Sequence, residues 1–87
     1  MSKIPHAKTP AAKAGMICAM RPFRNYVRHR LNLPAQPNTE AAAEFLRREC
    51  QVESRSDLNN DAAAAARFEA LCATFDQWRG RIATPTQ

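Results

Sequence analysis

Residues 61–80 read DAAAAARFEALCATFDQWRG, and this stretch decides the fold class. Phe68, Leu71, Phe75 and Trp78 recur at intervals of three and four residues, which places them on one narrow stripe of an α-helix. The alanine run at 62–66 looks like low complexity. Alanine is also the best helix former, and its small side chain lets a neighbouring helix approach closely. Asp61 stands where an N-cap is wanted, and Gly80 where a helix ends on a C′ glycine. The spacing predicts a helix from residue 62 to about 79, the longest of the chain, with Trp78 in the core. Nowhere do β-branched and aromatic residues alternate over a useful length, so no strand is expected.

Upstream, Asn38 or Thr39 caps a helix through about Cys50, with Glu40 in the first turn and Arg47 and Arg48 in the last, as the helix dipole favours. Its apolar face is Ala42, Phe45, Leu46 and Cys50, and Glu44 and Arg48 form an i,i+4 pair on the wet side. Ser54 and Asp57 have capping-box spacing, which predicts a single turn that buries Leu58. A helix-turn-helix over these two elements fits poorly: Gln51 stands where glycine is common, and bulky Arg47 where a small residue is wanted.

Further out, Thr9-Pro10 is an N-cap and N1 pair that opens a helix through residues 11–20, although Gly15 in its middle costs roughly 1 kcal/mol against alanine and implies close packing or a bend. Its scarcity of polar residues implies burial, or an exposed Met16, Ile17 or Met20 patch that marks a protein partner. Pro22 restarts the chain as N1 of a helix over residues 23–31, whose Phe23, Val27 and Leu31 face the core. Asn32–Pro37, with prolines at 34 and 37, is a stiff connector. The expected architecture is all-α: a compact bundle of four to five short helices over residues 9–83, with a mobile basic arm at 1–8 and a frayed tail at 84–87. Phe68, Leu71, Phe75 and Trp78 are expected to pack on Phe45, Leu46, Phe23 and Val27.

The bulk composition agrees. A chain of 87 residues has room for one domain, and 45% hydrophobic with 24% charged residues is ordinary for a globular protein. Three widely spaced cysteines fit reduced thiols better than a disulfide framework, and no segment approaches a signal h-region or a membrane span, so a cytoplasmic location is expected. Cys18, Cys50, Cys72 and His29 lack the short-spaced pairs of a zinc site, and each cysteine lies on or beside an apolar face. His6 and His29 have no nucleophile placed beside them by local spacing, and the two glycines make no phosphate cradle. Neither an enzyme nor a cofactor is expected.

What remains is charge. Thirteen Lys and Arg against eight Asp and Glu give +5. Arg21, Arg24 and Arg28 share a helix face, with His29 and Arg30 flanking, Tyr26 nearby, and Lys3, Lys8 and Lys13 upstream. Such a face tracks phosphates without reading bases, and the candidate partner-binding residues are Arg21, Arg24, Tyr26, Arg28, Arg30, Lys13 and Lys8. The competing reading pairs these arginines with Glu40, Glu44, Glu69 and Asp76, or leaves them in solvent.

Three stretches together resemble a loosely defined group of small phage and prophage proteins from early-region recombination and replication neighbourhoods. They are Ala14-Gly15-Met16-Ile17-Cys18 with Phe23, Cys50-Gln51-Val52-Glu53-Ser54-Arg55 with Leu58, and Phe68, Leu71, Phe75 and Trp78. Members usually carry glycine where this chain has Gln51, and many have an additional N-terminal domain. The resemblance implies a mobile-element product acting in a bacterial host. Two functions suit that setting: binding nucleic acid or a host nucleoprotein complex, and stoichiometric inhibition of a host defence complex in the manner of anti-CRISPR proteins. A homodimeric helical module is a third expectation.

Overall fold

The computed structural model describes residues 9–83, with side chains to residue 80. The expected arm, its Lys3 and Lys8, and the expected tail lie outside the described residues. Four α-helices and one 3₁₀ helix follow in order: α1 (Pro10–Ala19), α2 (Arg21–Leu31), α3 (Thr39–Cys50), η1 (Arg55–Asn59) and α4 (Ala62–Ala83). Among the described residues there is no strand, and no helix is long and apolar enough to cross a membrane.

Local chemistry accounts for the helix starts. The Thr9 hydroxyl accepts from the Ala12 N–H at 3.1 Å, the Asn38 side chain from the Ala41 N–H at 2.8 Å, and Asp61 from the N–H groups of Ala63 and Ala64 at 2.9 and 3.2 Å. Ser54 and Asp57 close a capping box on η1, although aspartate is the shorter acid. A tertiary contact adds to α1, whose Ala11 N–H donates to the Asn59 side chain at 3.0 Å. Met20 alone separates α1 from α2, and Pro22 falls inside the first turn of α2, where an N–H has no helical acceptor.

The ends of α2 and α3 share one motif. Asn32 (φ 54°) and Gln51 (φ 60°) adopt the left-handed conformation, and the N–H groups of Leu33 and Val52 return to the carbonyls of Arg28 and Arg47, both at 3.0 Å. The expected stop at Gly80 is not used. α4 runs on to Ala83 and Gly80 keeps a negative φ, because a glycine ends a helix only when the following chain turns away. Gly15 is likewise not demanded by packing: an added Cβ would meet the Arg55 guanidinium at 3.9 Å, ordinary contact.

The core is one connected cluster with contributions from every element. α1 packs chiefly on α3 and η1, α3 and η1 pack on α4, and α2 packs against both α3 and α4. Small residues, Ala14, Cys18, Ala42, Ala43 and Ala64, are buried together with Ile17, Leu46 and Leu58. Around α2 the core is aromatic, with Phe23 edge-on to Phe75 at 5.2 Å and Tyr26 edge-on to Phe45 at 6.2 Å.

Here the sequence reading of α2 needs correction in phase. Tyr26, expected on the contact surface, is 1% exposed, whereas Leu31, expected in the core, is 51% exposed. The inward stripe is Phe23, Tyr26 and Val27, and Arg30, itself exposed, covers its edge by lying over the rings of Tyr26 and Phe45 at 5.6 and 5.3 Å. Trp78, expected in the core, is only half-buried and packs on Tyr26 and His29 at its rim. The segment tested as a recognition helix is the five-residue η1, less than two turns and too short to lie along a major groove.

Candidate nucleic-acid interface

α2 carries four arginines and no acidic residue, against a net +5 for the whole chain. A helix without its own carboxylates offers its arginines no i,i+4 partner, so each takes what the tertiary structure provides. The ion pairs among the described residues are Arg30–Glu49, Arg47–Glu40, Arg48–Glu44 and Arg79–Asp76, at 3.3, 3.8, 3.3 and 3.9 Å. Of the α2 arginines, only Arg30 is among them.

The candidate residues therefore divide. Arg30 donates to the Tyr26 hydroxyl at 2.8 Å as well as to Glu49, and the Tyr26 bond holds its guanidinium pKa above the ordinary value; it secures the core rim. Arg24 is half-buried and ties the end of α1 to the connector, donating to the Ala19 carbonyl at 3.4 Å and to Gln36 at 3.2 Å. Lys13 is half-buried, with its ammonium 5.9 Å from the Phe68 ring centroid. Arg28 is exposed and, among the described residues, reaches only the Pro34 carbonyl, at 3.5 Å. Arg21 is exposed, and no hydrogen bond or ion pair engages its side chain among the described residues.

Arg21, Asn25 and Arg28 thus form the outward row of α2, at intervals of four and three residues. Its C-terminal end borders a cleft of about 440 Å³ lined by Asn25, Arg28, His29, Asn32, Leu33 and Trp78. Among the described residues, the cleft wall holds one permanent cation, two side-chain amides and two aromatic heterocycles, and no carboxylate. The His29 and Trp78 rings meet at 5.7 Å with planes 34° apart. Gln36 donates its amide to the Asn25 side-chain oxygen, holding the connector against this edge of α2. A second, smaller cavity of about 230 Å³ lies between Arg30, Glu49, Arg67, Ala70, Leu71 and Thr74, where Glu49 already neutralises Arg30.

Asn25, Asn32 and Trp78 line this cleft and are not among the residues to which the sequence points. Trp78 reads as core because it continues the α4 stripe; the available signal is its place last on that stripe, between Gln77 and Arg79.

Nucleophilic or redox chemistry finds no support in the thiols. Cys18, Cys50 and Cys72 are buried, and burial pushes the first two up to about 11 and the third to about 12, despite nearby Arg55, Arg67 and Lys13. They stay protonated at neutral pH and pack as small hydrophobes. Among the described residues, no group of three or more His, Cys, Asp or Glu side chains is placed to hold a metal ion. Comparison with protein-family models, with curated proteins and with solved structures finds no match.

Proposed function

We propose that the chain is a non-enzymatic accessory protein of phage or mobile-element type that binds nucleic acid, free or within a nucleoprotein complex, through the outward face of α2. The observation that carries this reading is the helix of four arginines and no carboxylate, of which Arg21 and Arg28 project to solvent without an ion pair among the described residues. Solvated cations on a rigid helix attract polyanions and exchange water for phosphate at little cost in side-chain partners. The phage context rests on the resemblance of residues 14–78 alone.

The test is fluorescence anisotropy of labelled DNA and RNA titrated with the protein at several salt concentrations. Binding should weaken steeply with salt, and the Arg21→Ala, Arg28→Ala double variant should lower the magnitude of the log–log salt slope by about 2, roughly one per lost phosphate contact. Absence of binding at low salt would defeat the reading and leave protein recognition, such as occlusion of a host defence complex, as the use of this face.

A further inference from the structure

We propose that the cleft between the C-terminal half of α2 and Trp78 is a pocket for one unpaired nucleobase, so that the ligand of this face is single-stranded nucleic acid. The inference rests on the reading of the α2 face as a phosphate-binding surface and goes beyond it by naming the form of nucleic acid.

The aromatic lining is the first argument. Trp78 lines the cleft at the α2/α4 junction, half-buried and packed on Tyr26 at 5.4 Å and His29 at 5.7 Å. A base in a duplex is already stacked on both faces, whereas a base in a flexible strand swings out and lays its π-face on an aromatic ring. The volume, about 440 Å³, is in the range of pockets that accept small ligands.

Its lining supplies the rest of a nucleotide's needs. Arg28 stands on the cleft wall and continues the outward row that begins at Arg21, seven residues and roughly 10 Å earlier along the helix axis, so a strand crossing the row brings its phosphate to Arg28 as its base reaches Trp78. Asn25 and Asn32 present amides on the same wall; the Asn25 oxygen already accepts from Gln36 and leaves its N–H groups to donate, while the Asn32 side chain, which can both donate and accept, has no hydrogen bond among the described residues. Among the described residues no carboxylate lines the cleft to repel the phosphate, in contrast to the smaller cavity, which contains Glu49. Stacking without a fixed set of base-edge partners predicts tolerance of base identity.

Trp78 is the single tryptophan of the chain, so its emission reports on the cleft directly. The full chain is titrated with an end-labelled oligothymidylate of about eight nucleotides, with a blunt duplex containing the same strand, and with thymidine monophosphate, following Trp78 emission and label anisotropy together. The expected result is coincident quenching and anisotropy change with the single strand, at least tenfold weaker binding of the duplex, and no saturable response to the mononucleotide at strand-binding concentrations. Trp78→Leu should bind roughly five- to a hundredfold more weakly with an unchanged salt slope, whereas Arg28→Ala should lower the slope. An anisotropy rise with constant Trp78 emission, or equal affinity for the duplex, overturns the cleft assignment and leaves the basic-face reading standing. Saturable quenching by the mononucleotide as tight as by the strand assigns the cleft to a free nucleotide and also overturns it. No anisotropy change with any nucleic acid overturns both. The quenching test on the unaltered chain stands even if Trp78→Leu does not fold.

Discussion

α2 and α3 are built on the same plan and end in opposite electrostatic states. They span 11 and 12 residues, each buries one apolar stripe, and each ends on a non-glycine residue in the left-handed conformation. α3 places three glutamates among its two arginines, so Arg47 and Arg48 pair with Glu40 and Glu44 on their own helix. α2 has no acid, and its four arginines scatter to two rings and the Glu49 carboxylate of α3, to carbonyls, to an amide and to solvent. The lesson is that total charge says little about a binding face. Whether a helix can satisfy its own cations decides which of them remain open to a partner.

The largest effect should come from the inner side of α2. Tyr26→Ala removes a fully buried ring that touches Phe23, Phe45, Phe75 and Trp78 and should cost about 3–5 kcal/mol in urea denaturation. A cost under about 1 kcal/mol would mean that the aromatic side of the core is not what holds α2 in place.

Next is the contrast between arginines of different use. Arg30→Ala loses the Tyr26 hydroxyl and two ring faces and should destabilise by about 1–2 kcal/mol, while Arg48→Ala, on an exposed i,i+4 pair, should stay within about 0.5 kcal/mol. Equal values would erase the distinction between α2 and α3.

The two left-handed termini provide a finer comparison. Gln51→Gly should raise stability by up to about 1 kcal/mol, because glutamine holds φ at 60° against its preference, whereas Asn32→Gly should change it by only about a few tenths, since asparagine tolerates that conformation. Thermal melts of the two variants side by side would show the order.

Smallest of all should be the effect on folding of removing the outward row. The Arg21→Ala, Arg28→Ala double variant should unfold within about 0.5 kcal/mol of the parent chain, because neither side chain holds a strong internal partner. A large loss in the same denaturation experiment would place these arginines among the structural ones and remove the α2 face as a candidate interface.

What the sequence by itself determined is mostly what depends on neighbours in the chain. The all-α class, the four helical segments, the caps at Thr9, Ser54 and Asp61, a cap at either Asn38 or Thr39, the apolar faces that carry the cysteines and the basic cluster on α2 all follow from side chains acting within a turn or two of their own backbone. Only the tertiary structure decided the phase of α2. The rows 23-27-31 and 23-26-27 both satisfy a period of 3.6, and the rings of Phe45 and Phe75 chose the second by receiving Tyr26. It also decided that α4 passes through Gly80, that Arg24 and Arg30 are held by internal partners while Arg21 and Arg28 face water, and that Trp78 opens onto a cleft with Asn25 and Asn32. These features depend on groups far apart in sequence, and local periodicity carries no information about which of two faces a distant helix will cover.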